Sequence, residues 1–460
     1  MYNKNHLFMS RKYHMKKEFT PKDILALVNS HKSNRLLYTT LQNYYLGKHD
    51  ILYRTFKDGS KPNNQAVNNF AKLIVDTSTA YFLGEPVTYL CKDKSFLDKF
   101  TEVQRDNFAI DVDAELGKLC SIYGHAFELH YLQDGVHKFK AVSPYNMFMC
   151  YSMGIEEVPL CAVLYESHQD AVTKEDVIFV QAFTKDSIIE YEAIGGEIKF
   201  PPTIKPHYFG DVPAIEYLAN EERQGDFETV ITLIDAYNTA VSDSINDIEY
   251  WNDAYLLLKN LDATTQEDID AMKENRVLLV DGEGDAGFIT KKVQDTHIEN
   301  IKDRLTMDIH KFSQTPNLND EQFATNLSGV AIKYKLLGLE NKTAIKERKF
   351  TSALIKRISL IRNILNLRGG NFSFEYVEPV FSRNIPANLV ELGDLVAKIR
   401  GLVSDETLRS QLPFVIDNEE EQKRIEKEKE SMLDYTIVSP PNIAKEPTPL
   451  NLNKDNGEEE

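Results

Sequence analysis

Asp226-Phe227-Glu228-Thr229-Val230-Ile231-Thr232-Leu233-Ile234-Asp235-Ala236-Tyr237-Asn238-Thr239-Ala240-Val241-Ser242-Asp243-Ser244-Ile245-Asn246-Asp247-Ile248-Glu249-Tyr250-Trp251-Asn252 is the stretch that decides the fold. Phe227, Val230, Ile231, Ile234, Tyr237, Val241, Ile245 and Ile248 recur every three to four residues, the spacing of one face of an α-helix. At ~1.5 Å per residue the helix is about 40 Å long. Its polar positions hold Asp235, Asp243, Asp247 and Glu249, and between Gln224 and Leu258 there are seven acids and no Lys or Arg. Such a face is either plain surface or the wall of a conduit that repels a polyanion.

A small unit follows. Ala254–Lys259, Arg276–Asp281 and Gly287–Val293 read as strands, with a short helix over Gln266–Lys273. A second long helix starts near Asp295 through Ile298, Ile301, Leu305, Ile309 and Phe312, and stops before Pro316. Two long helices thus flank a strand-rich module of about forty residues, too small to bury a core of its own. Residues 315–328 are polar and Asn-rich, which predicts a loop. From Ser328 to Arg368 a long helix resumes and ends at Gly369-Gly370. It carries ten Lys or Arg against two Glu, in a chain whose net charge is −18. Lys342, Lys346, Arg348 and Lys349 on it either touch nucleic-acid phosphates or pair with the acids of a neighbouring subunit.

Upstream, Thr20-Pro21 caps a first helix over Ile24–Val28, a second begins at Ser33 and ends at Gly47, and a third runs from Phe70 to Gly84. Residues 101–119 are helical. From Tyr123 to Tyr217 short alternating runs separated by turns predict antiparallel strands, so the first ~220 residues form one α+β domain. Phe372–Val380 is a strand that rejoins this β region, and Pro386 to Leu412 a small helical unit with Ser404 as a cap. Asp417 to Glu460 holds thirteen acids and six bases, and after a short charged helix should be disordered. The first 19 residues, with Lys4, Arg11, Lys12, Lys16 and Lys17, read as a frayed basic arm.

The 460 residues predict two to four folding units, and a composition of 42% hydrophobic and 27% charged residues excludes wholesale disorder. No stretch is apolar enough for a membrane span. Cys91, Cys120, Cys150 and Cys161 lack metal or redox spacing and read as reduced, mostly buried thiols. Gly282-Glu283-Gly284-Asp285-Ala286-Gly287 spells GxGxxG, but a strand follows where a nucleotide site needs a helix, and two acids would repel phosphate. Asp111-Val112-Asp113-Ala114-Glu115 lacks the rest of a calcium loop and reads as a charged helix start. There is no phosphate-binding loop, zinc motif or nucleophile elbow, so no catalytic residue, metal site or cofactor is expected.

The order of elements resembles the portal proteins of tailed bacteriophages, of the type found in siphophages of Gram-positive hosts. Tyr44-Tyr45-Leu46-Gly47-Lys48-His49-Asp50-Ile51 is similar to that family's opening motif, as is Asn63 through Asp76 followed by Tyr81-Phe82-Leu83-Gly84-Glu85-Pro86-Val87. Phe312-Ser313-Gln314-Thr315-Pro316-Asn317 through Ser328-Gly329-Val330-Ala331-Ile332-Lys333 resembles the segment leading into the family's long helix. The resemblance covers about residues 35–430.

It implies an α+β, portal-like multidomain subunit: a wing over 20–223, stem helices over 224–253 and 295–314, a clip over 254–294, a tunnel loop over 315–328, a long basic helix over 329–370, a wing strand over 371–385 and a helical crown over 386–430. The arm of residues 1–19 and an acidic disordered tail over 431–460 lie outside it. It further implies a dodecameric ring in the virion, assembled in the host cytoplasm. Double-stranded DNA would pass through its tunnel, and the terminase, head–tail adaptors, capsid and scaffolding proteins would be its partners. Asn317, Asn319, Gln322 and Asn326 are the first expected DNA contacts, through neutral hydrogen bonds that release easily. The alternatives are a DNA-processing enzyme with an unrecognised metal or nucleotide site, and a ring-forming scaffold that conducts no DNA.

Overall fold

A computed structural model describes residues 10–56, 62–251, 255–259, 285–289, 295–317, 329–373, 377–384, 389–410 and 418–436, with a few single positions between. The chain divides into two compact units, residues 1–385 and 386–460.

The first unit opens with β1 (Tyr13–Met15), α1 (Pro21–Tyr45), a 3-10 turn (Asp50–Tyr53), α2 (Phe70–Leu83), β2 (Thr88–Leu90), α3 (Lys94–Asp106) and α4 (Ala109–Tyr123). Nine strands follow: β3 (His125–Gln133), β4 (Val136–Val142), β5 (Met147–Ser152), β6 (Pro159–Gln169), β7 (Asp176–Phe183), β8 (Ser187–Ile194), β9 (Glu197–Ile198), β10 (Thr203–Pro206) and β11 (Ala214–Leu218). Then come α5 (Ile231–Trp251), β12 (Tyr255–Lys259), β13 (Asp285–Ile289), α6 (Asp295–Phe312), α7 (Gly329–Lys335), α8 (Leu337–Leu367) and β14 (Glu378–Val380).

The main sheet runs β1-β5-β6-β7-β8-β10, with β9 paired to β8. A second sheet runs β11-β3-β4, and β12–β13 and β2–β14 are two-stranded pairs. All neighbours are antiparallel except β1 on β5. α1 packs its first half (Ile24, Leu25, Val28) on one face of the main sheet. Its second half (Leu37, Tyr38, Leu41, Tyr44) enters the largest core, with α2, α4, β11, the root of α5 (Phe227, Val230, Ile231, Ile234), Ile309 of α6 and Phe350, Leu354 and Leu360 of α8. The second unit holds α9 (Leu389–Ile399), α10 (Asp405–Ser410) and α11 (Asn418–Thr436). Ser404 accepts the Thr407 N–H and caps α10, as its sequence position predicts.

Several expectations change. The two N-terminal helices are one, from a Thr20–Asp23 capping box to Tyr45. The middle of α1 has indifferent helix formers, but buried His31 bonds the Tyr165 hydroxyl and buried Asn34 bonds the Tyr13 hydroxyl and Ser10 carbonyl. Tertiary contacts override local propensity there. The described part of the basic arm, from residue 10, is packed on the body, because Arg11 is buried against Glu228, Arg223 and Tyr123. Residues 101–119 span two helices, with a corner at Phe108 in the left-handed region. The long helix is interrupted at Leu336. β14 pairs with β2, apart from the β region it was expected to rejoin. Helix α11 continues through residues 431–436, into the segment expected to be a disordered tail. The strand over 276–281 and the helix over 266–273 fall outside the described residues or almost so, as does the tail beyond Thr436. β12 pairs with β13, and β13 begins at Asp285, so strand rather than helix follows the GxGxxG letters.

Gly124 ends α4 at φ +84°. A Cβ there would sit 2.0 Å from the Arg223 carbonyl oxygen, so only glycine lets α4 turn into β3 beneath residues 223–225.

Candidate functional site

The first feature of the site is how α5 is held. Residues 62–69 lie extended along it. Asn238, Ser242 and Asn246, four residues apart, accept the backbone N–H groups of Asn68, Ala66 and Asn64 at 2.7, 3.0 and 2.7 Å. The periods match: four helical residues rise ~6 Å, and two extended residues advance ~6.6 Å. The side-chain amides of Asn68 and Asn64 bond the same two oxygens at 3.3 and 3.0 Å. Asn238, fully buried, donates to His49 Nδ1 at 2.8 Å, and His49 Nε2 donates to the Tyr44 carbonyl at 2.9 Å. The motif around residues 63–69 is therefore a polar zipper on α5. Its signal in the sequence was the 238/242/246 spacing of amide and hydroxyl residues, which a search for apolar periodicity passes over.

This geometry engages three of the four expected acidic residues within the chain. Asp235 accepts the Tyr44 hydroxyl at 2.5 Å. Asp243 pairs with Arg54 at 2.6 Å, and Glu249 accepts the Asn64 amide at 2.6 Å. Burial and Asp235 together push the Tyr44 hydroxyl well above its usual range. Asp247 is half-buried. At positions 235, 243 and 249 the acids therefore face residues 44–64 of their own chain.

The second feature is the root of α5, where α8 crosses it. Lys346 is buried and donates to Asp226 at 2.6 Å, Ser121 at 2.8 Å and Ser78 at 3.1 Å. Burial alone would raise the Asp226 carboxyl, but Lys342 and Lys346 outweigh it and hold it at about 2. Lys342 donates to the Ser313 carbonyl at 2.9 Å and lies 3.8 Å from Asp226. Burial pushes its ammonium down to about 8. A cavity of about 180 Å³ opens beside them, lined by Asp226, Thr229, Phe312, Gln314, Lys342 and Ile345. Lys349 pairs with Glu221, while Arg348 is exposed and, among the described residues, donates to the Ala344 carbonyl of its own helix. About three turns beyond Lys346 along α8, Arg357 is fully buried and binds Glu128 and Asp113.

Five of the ten basic residues of this segment thus pair with carboxylates of their own subunit. Lys346 is a correction to the expected DNA contacts: its three donor bonds are all taken by Asp226, Ser121 and Ser78 in the interior. The intersubunit pairing weighed for Lys342, Lys346 and Lys349 gives way to intrasubunit pairs. Asn317 is half-buried just after Thr315, whose carbonyl faces His310 Nδ1 at 3.1 Å. Asn319, Gln322 and Asn326 lie outside the described residues.

The third feature is Arg11. Its guanidinium bonds both carboxylate oxygens of Glu228, at the root of α5, and the Tyr123 carbonyl at 2.8 Å. An isolated Arg in a basic run gave no signal of this. Among the described residues, no three His, Cys, Asp or Glu converge as metal ligands. No helix among them is long and apolar enough to cross a membrane.

An α+β body braces the root of a long helix, and a small strand pair, a returning helix and a long core-crossing helix follow it, the order of elements that the resemblance implied. The chain belongs to the phage portal protein family of the SPP1 Gp6-like type, whose profile matches residues 25–433. It is 25% identical over 434 residues to the portal protein of Bacillus phage SPP1, covering 88% of this chain and 86% of that one. It is 24% identical over 437 residues to the portal protein of Clostridium phage phiCD119, covering 88% and 95%. Among solved structures, the virion of a native gene transfer agent particle aligns at TM-score 0.44 and 12% identity, over 81% of this chain and 92% of that one. The neck of the native particle aligns at 0.44 and 13%, over 75% and 88%.

Proposed function

We propose that twelve copies of this chain close into a ring at one vertex of a phage capsid, assembled in the host cytoplasm. The ring conducts double-stranded DNA inward during packaging and outward at ejection. In this reading residues 20–223 are the wing, α5 and α6 the stem, and residues 254–294 the clip that meets the terminase and then the head–tail adaptors. The loop over 315–328 reaches the DNA, and residues 386–430 form the crown. Capsid and scaffolding proteins surround the wing. The chain itself acts as a structural component, and the terminase supplies the work.

Beside family membership, one observation carries the ring. Ile248 on α5, Met307 and Phe312 on α6 and Tyr334 and Leu337 on α7–α8 are all exposed by half or more. A run of large apolar side chains along these helices fits burial against neighbouring copies, as a closed heterologous ring provides. Light scattering with negative-stain imaging tests this. A particle of about 632 kDa with a central hole is expected, from twelve copies of 52.7 kDa. A strict monomer or dimer at every salt concentration would overturn it.

A further inference from the structure

Cys150 lies on β5 and Cys161 on β6. They are direct partners across β5 and β6. Both side chains are fully buried in the cluster formed by α1, β1 and one face of the main sheet. Directly opposed residues on antiparallel strands hold their Cα atoms ~4.5–5.5 Å apart, inside the ~4.4–6.8 Å that a disulfide spans. The two thiols also contact each other, and Cys161 Sγ lies 3.8 Å from Met15 Sδ. Met15 belongs to β1, a three-residue edge strand whose Tyr13 is the register partner of Cys150. The dithiol is therefore covered by a short strap that Arg11 pins in place. The other two cysteines are distant from this arrangement: Cys120 donates to the Tyr217 carbonyl, and Cys91 is half-buried.

We propose that Cys150 and Cys161 are a modification site, a buried dithiol that a small peroxide converts to a β5–β6 disulfide. The thiolate of one cysteine attacks the peroxide, the O–O bond breaks, and a sulfenic acid and water form. The second thiol then attacks that sulfur, the S–O bond breaks, and a second water leaves. Two thiols lose two electrons and two protons, and one peroxide is reduced. The bond from Cys161, together with burial, keeps the Cys150 thiol protonated, so the reaction waits for β1 to lift. A disulfide would then staple the sheet under α1 once the particle leaves a reducing cell, whatever the ring conducts.

The full chain is treated with hydrogen peroxide, its remaining thiols are blocked, and it is cleaved without reduction at Glu156 or Glu157, which lie between the two cysteines. The expected result is a linked peptide pair lacking two hydrogens, absent in Cys150→Ser. Arg11→Ala and Met15→Ala chains, with the strap loosened, should form it several-fold faster. Free or singly oxidised Cys150 and Cys161, with no linked pair in any of the three chains, would overturn the proposal. Because the assay needs neither ring nor DNA, its failure is separate from failure of the portal reading.

Discussion

Lys346→Met asks whether this lysine serves DNA or the fold. The substitution keeps the length of the side chain and removes its charge. It leaves Asp226 as a carboxylate with 2% of its side chain exposed, and leaves the Ser78 and Ser121 hydroxyls without their donor. Removing one partner of a buried ion pair costs about 3–5 kcal/mol. For a 385-residue unit with an unfolding entropy of ~2.1 cal/mol/K per residue, that lowers the melting midpoint by about 4–6 °C. The Asp226 carboxyl, now held at about 2, is depressed from its ordinary 3.8. Its contribution is therefore present above pH ~4 and lost as pH falls through about 2. In Lys346→Met the sign reverses: the carboxyl rises, so the variant recovers relative stability as pH drops toward 4. Calorimetry at pH 7.5 and 4.5, with Asp226→Asn and the double variant, closes the cycle. The double variant should be more stable than the sum of the singles by at least about 2 kcal/mol. An unchanged midpoint with weakened DNA packaging would refute the structural assignment and return Lys346 to the tunnel.

Four further outcomes are expected. Asn238→Ala removes the donor to buried His49 Nδ1 and the acceptor of the Asn68 N–H, so stability falls by about 3 kcal/mol and hydrogen exchange quickens at residues 64–68; unchanged exchange there would mean that the zipper does not hold the segment. Burial holds His31 down to about 3 and His137 down to about 2, so each is neutral when folded and takes a proton only on unfolding below pH ~6.5. Stability should fall by about 1.4 kcal/mol per pH unit for each below that point, and urea midpoints of His31→Gln should show one such increment less. Phe108→Gly relieves a left-handed residue at φ 50° and should raise stability by about 1 kcal/mol, with a lower midpoint arguing that the exposed ring is held by a contact in the assembly. Replacing Asn317, Asn319, Gln322 and Asn326 together by Ala should slow DNA packaging while the ring's mass stays unchanged; unchanged packaging would remove the loop from the DNA path.

Apolar periodicity made the helical parts of this fold legible. The stripe from Phe227 to Ile234 and the alternation between Tyr123 and Tyr217 both report burial, which is what one-dimensional patterns encode, while Ile245 and Ile248 at the far end of the stripe are exposed in the single subunit. The misses share a different cause. The α1 break predicted near Ser33 does not exist because His31 and Asn34 find partners from β6 and β1, more than a hundred residues away in the first case. Arg11 looked like one charge in a frayed arm because its carboxylate, Glu228, lies 217 positions on.

The charges stayed ambiguous for a related reason. Sequence showed an acidic helix and a basic helix, each of which could be plain surface, face a polyanion or, for the basic one, pair with a neighbouring subunit. In space Asp226 meets Lys346, Asp243 meets Arg54, and Asp113 and Glu128 meet Arg357. Each pair joins elements far apart in the chain, so the segregation of charge along the sequence largely disappears within one subunit. A conduit needs no strongly charged wall to let DNA slide, since every fixed cation that binds phosphate displaces counterions and adds affinity that must then be broken. Charges that brace the root of α5 leave fewer to grip a duplex, and Arg348, exposed, is the residue of the basic four with no carboxylate partner among the described residues.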